Sequence, residues 1–222
     1  MSKLVLIRHG QSIYNEKNLF TGWADVELTD KGTNEAKDAA PLIQDIVFTH
    51  AFTSKLKRAQ NTLKIILKNI NQNLDVVENI ALNERDYGSL IGQNKKEAAL
   101  KYGEEQVQIW RRSFSTPPPD GESLEMTAER TIPYFKKNIE SLLLNDNNNI
   151  IVSAHGNSIR AIVMYLHSMS SSEILKTEIG WCEPWLYRFN SGTLDSFKII
   201  PRPGDKSKSN LNIFPTKINL MK

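Results

Sequence analysis

LVLIRHG at residues 4–10 and IIVSAHGN at residues 150–157 are two versions of one pattern. Each is a short aliphatic run that ends in a His followed by a Gly. Such a run reads as a strand buried on both faces, the kind found inside parallel sheets. In these sheets ligands bind just beyond the carboxyl ends of the strands, along one edge. His9 and His155 are therefore expected to meet on that edge. Gly10 and Gly156 would let the backbone approach a ligand closely. The chain has four His, and the other two, His50 and His167, lack this setting. They read as surface or helix-flank residues.

Working outward, Ala51 to Thr53 and Val76 to Ile80 read as further short strands, and Leu186 to Phe189 and Phe197 to Ile200 as closing ones. Thr29 can cap a helix that runs through Glu35 and Ala39 and ends or kinks at Pro41. Ser54 is read as the cap of a strong helix, since Leu56, Ala59, Leu63, Ile66, Leu67 and Ile70 recur at helical spacing. Lys95 to Tyr102 and Glu105 to Arg112 look helical. Pro117-Pro118-Pro119 breaks the chain and Asp120-Gly121 turns it. Ser123 to Leu144 reads as a helix bent at Pro133, and Ser158 to Met169 as another. Strands alternate with helices. The fold class expected is α/β, with a mostly parallel central sheet and helices on both faces.

The 222 residues suit one domain, expected over residues 1–200. The segment 201–222 is rich in Lys, Ser, Asn and Pro and reads as a tail or flap. No apolar run approaches membrane-spanning length, and the N-terminus lacks the apolar segment of a signal peptide. Cys182 is the one cysteine, so no intrachain disulfide forms and a cytoplasmic protein fits. Net charge is +3, with Lys and Arg scattered rather than gathered on one arm. That argues against a nucleic-acid binder and is compatible with a small anionic substrate.

The chemistry-bearing residues fit phosphoryl transfer. Imidazole attacks phosphorus only when neutral, and Arg8 beside His9 disfavours the imidazolium. The same guanidinium can bind phosphoryl oxygens in a fork. Arg58 is placed near the N-terminus of its helix, where anions are favoured. Glu84, in a densely polar stretch, is a candidate general acid and base. Lys95, Arg111 and Arg112 add cations. Adjacent residues cannot share one helix face, so one of Arg111 and Arg112 can bind ligand while the other pairs with the protein. Neither metal-ligand spacing nor a Walker-type loop is present. Charge on a transferring phosphoryl group would then be neutralised by Arg and His.

Longer stretches carry a resemblance. LVLIRHGQSIYN at 4–15 resembles the signature of the histidine phosphatase superfamily. NLFTGWADVELTDKG at 18–32, LNERDYGSLIGQNK at 82–95, KYGEEQVQIWRRS at 101–113 and SAHGNSIRA at 153–161 resemble the cofactor-dependent phosphoglycerate mutases. The likeness covers roughly residues 2–200. It implies a phosphohistidine at His9, with Arg8, Arg58 and His155 holding the transferring group beside Gly156 and Asn157. It implies that Glu84 moves the proton of the substrate hydroxyl. It assigns Asn15, Thr21, Gly22, Tyr87, Lys95, Arg111 and Arg112 to the rest of a phosphoglycerate. The implied cofactor is 2,3-bisphosphoglycerate, with no metal. The implied partners are small phosphoglycerates, without nucleic acid or membrane; a homo-oligomer, a dimer, is left open. A phosphatase using the same His9 and Glu84 is the alternative.

Four departures stand out. Gln11 takes a place where many relatives carry Glu, a change expected to be tolerated. Pro119-Asp120-Gly121 runs straight into Glu122-Ser123-Leu124, without the insertion of longer relatives, as in the shorter bacterial members. Trp181-Cys182-Glu183 replaces small residues before Pro184, with an effect expected on local packing and not on the ligand residues. The tail, with Lys206, Lys208 and Lys217, is hard to align, and it is expected to help cover the site.

Overall fold

The aliphatic run at 4–7 does form a strand with both faces buried: β1 (Ser2–Arg8) sends Leu4 and Leu6 into one apolar layer and Val5 and Ile7 into another. All four are fully buried, and burial of each such side chain is worth roughly 1.5–3 kcal/mol. The computed structural model describes residues 1–203, 209–210 and 220. The remaining strands are β2 (His50–Thr53), β3 (Val76–Glu78), β4 (Asn149–Ala154), β5 (Trp185–Asn190) and β6 (Thr193–Ile199). The sheet order is β3-β2-β4-β1-β5-β6. β3, β2, β4 and β1 pair in parallel, and β5 pairs antiparallel to β1 and β6. A two-residue turn at Ser191-Gly192, both with positive φ, links the closing strands, as tight hairpins require.

There are six longer helices among the described residues, and four of them cover the sheet. The six are α1 (Asp30–Ala39), α2 (Lys57–Asn69), α3 (Lys95–Tyr102), α4 (Glu104–Arg112), α5 (Leu124–Phe135) and α6 (Gly156–Leu166). α1 and α2 pack on the Val5 side through Ala36, Ala39, Leu63 and Ile66. α5 and α6 pack on the Leu4 side through Leu124, Phe135, Ile159 and Ile162. Thr29 caps α1 by accepting from the Gly32 N–H, and Pro41 opens a 3-10 turn, Ala40–Ile43, where the helix stops. After Pro133, α5 passes into a π turn, Lys136–Glu140. Among the described residues no helix is long and apolar enough to cross a membrane.

Two local expectations are corrected. Ser54 does not cap α2: the cap position is Leu56, which makes no side-chain cap bond, and the Ser54 hydroxyl goes to a distant histidine. α6 begins at Gly156, two residues earlier than its apolar pattern indicated. His167 takes the helix-flank place, as the C-cap of α6, and is buried there. Its Nε2 stands 2.9 Å from the Tyr187 hydroxyl, and its ring meets Tyr187 and Phe197 edge-on in the core.

Burial pulls the pKa of His167 from the ordinary 6.5 down to about 4. Burial first, then Arg58, pushes those of His9 and His155 well below 6.5. The unfolded chain therefore binds protons that the folded chain refuses. Stability should be complete above about pH 6.5 and fall as pH drops toward 4, with His167 alone contributing on the order of 3 kcal/mol. Urea melts across this range should show the slope, and His167→Gln should flatten it.

Candidate active site

In the β1–β4 ladder Arg8 is level with Ala154, and the His9 N–H donates to the Ala154 carbonyl at 3.0 Å. The residues after these strands are therefore side by side, and the rings of His9 and His155 lie with centroids 5.0 Å apart. His9 Nδ1 stands 2.7 Å from the Gly10 carbonyl, which can only accept, so this nitrogen carries the proton. The lone pair is then on Nε2, toward which Arg58 Nε–H points at 3.4 Å. Burial, then Arg58, then Arg8 keep the imidazole neutral. The sequence argument credited Arg8 alone; desolvation and Arg58 weigh more.

Arg58 is fully buried at the second position of α2. Its Nη1 donates to the Ala24 carbonyl and its Nη2 to that of Gly22, which fixes the loop carrying Thr21 and Gly22. Burial pulls its pKa to about 10, so it stays charged. Arg8 donates to the Ile179 carbonyl at 2.8 Å, and its Nε is buried without a partner among the described residues. Its guanidinium lies 5.5 Å from the centre of the Trp181 ring. The Trp181-Cys182-Glu183 substitution therefore touches the site directly, contrary to expectation. Gln11 fits its place: its side-chain oxygen accepts from the Thr29 hydroxyl.

Glu84 lines the same cleft as His9. Its Oε1 accepts from the backbone N–H of Arg85 at 2.9 Å and of Asn157 at 3.0 Å, the latter at the N-terminus of α6. Burial alone would raise its pKa, but Arg8, these two N–H groups and Arg58 outweigh burial and hold it ionised. Its carbonyl accepts from Trp23 Nε1 at 2.6 Å and Arg130 Nη2 at 2.9 Å. Arg130 also donates to the carbonyls of Ala81 and Asn83 and pairs with Glu122 at 2.8 Å, so one guanidinium clamps the whole 81–84 turn.

The glycines differ in purpose. A Cβ on Gly156 would make only ordinary contact with Arg8 and Glu84, so this backbone does face the site. A Cβ on Gly10 would collide with the Gly32 carbonyl. Gly10 is there for close packing against α1, not for a ligand, which corrects the expectation.

The cleft encloses about 170 Å³. Of the residues singled out in the sequence, Arg8, His9, Asn15, Thr21, Gly22, Arg58, Glu84, Tyr87, Lys95, Arg111, Arg112, Gly156 and Asn157 line it. His155 is fully buried behind His9 and is not part of the lining. Lys95 opens α3, and its ammonium lies 5.8 Å from the centre of the Phe20 ring. Burial first, then Arg111 and Arg8, lower its pKa to about 8. Arg112 pairs with Glu178 at 2.9 Å, and Glu178 also holds Arg160 at 3.0 Å. Sequence reasoning passed over Arg85, Arg160 and Glu178, which line the cleft, and Trp23 and Arg130, which position Glu84. Arg85, Trp23 and Arg160 sit inside the quoted blocks and were within reach; Glu178 carries no sequence signal. Among the described residues no three His, Cys, Asp or Glu side chains gather as a metal site.

Geometry of this kind is matched among known proteins. Residues 4–195 match the family model of the histidine phosphatase superfamily (branch 1), and the chain belongs to that superfamily. Within it, the chain stands with the 2,3-bisphosphoglycerate-dependent phosphoglycerate mutases. The enzyme of that name from Parvibaculum lavamentivorans is 50% identical over 190 residues, covering 84% of this chain and 90% of the relative. That from Cytophaga hutchinsonii is 49% identical over 204 residues, covering 91% and 95%. A phosphoglycerate mutase structure from Bacillus anthracis superposes with a TM-score of 0.66 at 25% identity, over 84% of this chain and 88% of the other. The α-ribazole phosphatase of Shigella flexneri superposes with a TM-score of 0.76 at 22% identity, over 89% and 95%, a likeness of fold alone.

A cleft whose rim ammonium loses its proton near pH 8 should bind anions less well above that pH. Sulfate keeps its charge there and is a suitable probe. Its affinity by calorimetry should fall several-fold between pH 7 and 9. Lys95→Arg should abolish the fall, and Lys95→Gln should show the weak binding throughout.

Proposed function

We propose that this chain interconverts 3-phosphoglycerate and 2-phosphoglycerate through a phosphohistidine at His9 and bound 2,3-bisphosphoglycerate. It would be a glycolytic and gluconeogenic isomerase acting in the cytoplasm, built as one catalytic domain over residues 1–200. The observation that carries the reading is a neutral imidazole with its lone pair on Nε2, where a long contact from Arg58 meets it, in a cleft also lined by Arg8 and an ionised Glu84. When bound, 2,3-bisphosphoglycerate supplies the phosphoryl group that charges His9.

The roles follow from the geometry. His9 Nε2 forms the bond to phosphorus as the P–O bond to the donor breaks. Arg8 and Arg58 neutralise the equatorial oxygens, and being fixed before substrate arrives they need no reorganisation. Glu84, ionised at rest, accepts the proton of the attacking substrate hydroxyl and gives it to the other oxygen as that oxygen's P–O bond breaks and the phosphoryl returns to His9. Asn15, Thr21, Gly22, Tyr87, Lys95, Arg111 and Arg112 would hold the rest of the phosphoglycerate, with Gly156 and Asn157 beside the transferring group. The cation set at Lys95, Arg111 and Arg112 favours this reading over a broad phosphatase, which has no need of a second anion site. The half-identical relatives support it too.

Water must be kept from phospho-His9, or the phosphoryl is lost. The tail is our candidate for that cover. Asn210 exchanges hydrogen bonds with Glu178 on the cleft rim, and the Ser209 hydroxyl accepts from the Gly180 N–H. Lys206, Lys208 and Lys217 lie outside the described residues.

Treating the purified protein with 2,3-bisphosphoglycerate should place an acid-labile phosphate on His9, followed by isomerisation insensitive to EDTA. His9→Ala should lose both; isomerisation that survived would put the nucleophile elsewhere, and free phosphate as the main product would favour a phosphatase. Glu84→Gln should lower kcat by roughly 10²–10⁴-fold. Truncation after Pro203, with melts to show that the body stays folded, should raise phosphate release relative to isomerisation. An unchanged ratio would end the covering role.

A further inference from the structure

Glu35 sits on the buried face of α1 with Gly32, Ala36 and Ala39, and it does not line the cleft. A carboxylate in such a place is costly unless its oxygens find donors. Here Oε1 stands 3.4 Å from Nη2 of Arg202, and Oε2 accepts from the Gln11 N–H at 2.7 Å.

The Gln11 N–H belongs to the same peptide as the Gly10 carbonyl. That carbonyl accepts from His9 Nδ1 at 2.7 Å. One amide therefore stands between the ring of the nucleophile and a buried carboxylate, with a short hydrogen bond on each side. Hydrogen bonds in a chain polarise one another. An anion drawing on the N–H shifts electron density toward the carbonyl oxygen and makes it a stronger acceptor for His9. The Gly10 contact is also the one influence that raises the pKa of His9, against burial, Arg58 and Arg8. The loop is held to this geometry from two helices. The Gly10 N–H donates to Thr62 Oγ1 on α2 at 3.1 Å, and a Cβ on Gly10 or on Gly32 of α1 would collide with the backbone opposite. For packing alone, a neutral acceptor of the same reach would satisfy the Gln11 N–H. A buried carboxylate with a guanidinium opposite it is the costlier choice. What it adds is charge at the far end of the His9 hydrogen bond.

We infer that Glu35 is a positioning residue for the nucleophile: through the Gly10–Gln11 peptide it strengthens the carbonyl that holds His9 Nδ1–H and stabilises the positive charge of the ring once Nε2 is phosphorylated. The consequence for catalysis rests on the proposed phosphoryl transfer; the link between Glu35 and the His9 hydrogen bond does not. As the phosphoryl returns to His9, Nε2 bonds to phosphorus and the P–O bond breaks. Its electron pair leaves with the oxygen, which takes the proton held by Glu84. The Nδ1 proton stays in place, so the ring becomes an imidazolium whose N–H faces the polarised carbonyl.

Proton NMR on the ¹⁵N-labelled full-length protein at pH 8 reads both hydrogen bonds. His9→Gln assigns the Nδ1–H signal. Glu35→Gln keeps an acceptor for the Gln11 N–H and removes the charge. The His9 Nδ1–H and Gln11 N–H signals should both move upfield in this variant. Its kcat should fall roughly 3–10-fold, the charged share of a charge-assisted hydrogen bond, with KM for 3-phosphoglycerate nearly unchanged. The double variant Glu35→Gln/Arg202→Gln removes both charges of the buried pair and should show the same shifts. A His9 Nδ1–H signal that stays in place in either folded variant would overturn the inference, since movement of the Gln11 signal alone makes Glu35 a packing residue. An unchanged kcat would overturn it too. So would an Nε2–H tautomer of His9 in the wild type, which needs no variant. A wild type that forms no phosphohistidine, with the His9 signal moving as expected in Glu35→Gln, would overturn the phosphoryl-transfer reading and leave the Glu35 link supported.

Discussion

The in-register parallel pairing of β2, β4 and β1 is the constraint on which the rest depends. It holds Ser54, His155 and His9 level with one another at one sheet edge. A slip of one residue would move a histidine along the row and also turn each strand over, since side chains alternate faces. Leu4 and Leu6 would leave the layer they share with α5 and α6, and Val5 and Ile7 the layer with α1 and α2. Several fully buried aliphatic side chains would have to change partners. The catalytic spacing is thus protected by the same apolar packing that stabilises the fold.

Gathering so many cations in a buried cleft is costly unless each finds acceptors. The chain meets this with backbone carbonyls. Arg58 takes those of Gly22 and Ala24, Arg8 that of Ile179, and Arg130 those of Ala81, Asn83 and Glu84. Each planar fork spans two or more groups and so fixes loop geometry as well as charge. The arginines that face an incoming anion also hold the loops that shape its site. Loop order and charge placement are one feature here, which is how a site can be arranged before its ligand arrives.

What could be read from the sequence follows from this. The two His-Gly strand ends are local patterns, and the parallel-sheet rule carries them to one edge without knowledge of any loop. The apolar helices and the Thr29 cap are local in the same way. Ser54 was misread because a Ser before a helical pattern is a good local cap, while its actual partner, His155, is 101 residues away. Arg130 and Glu178 depend on how segments distant in sequence meet, and nothing in their neighbouring residues encodes it; Arg160, on α6 three residues past Asn157, lay within reach. Trp181 was expected to affect local packing only, since the ligand residues lie elsewhere in the sequence; an isolated bridge to Arg8, ahead of β5, brings it against that guanidinium.

Phosphatases superpose on this chain as well as mutases do, so the fold does not by itself decide the reaction. Both reactions need a phosphohistidine; they differ in what reaches it next. On the proposed reading that choice is made by the outer half of the cleft. There Lys95, Arg111 and Arg112 can retain an acceptor by its other anionic group. Arg112 is already paired with Glu178, whose backbone is bonded to Asn210 of the tail. A ligand carboxylate that draws Arg112 away must compete with Glu178. On that reading the competition would couple occupancy of the outer site to the contact between Glu178 and Asn210. Retention of the acceptor and exclusion of water would then be linked through one side chain, and a mutase needs the two together.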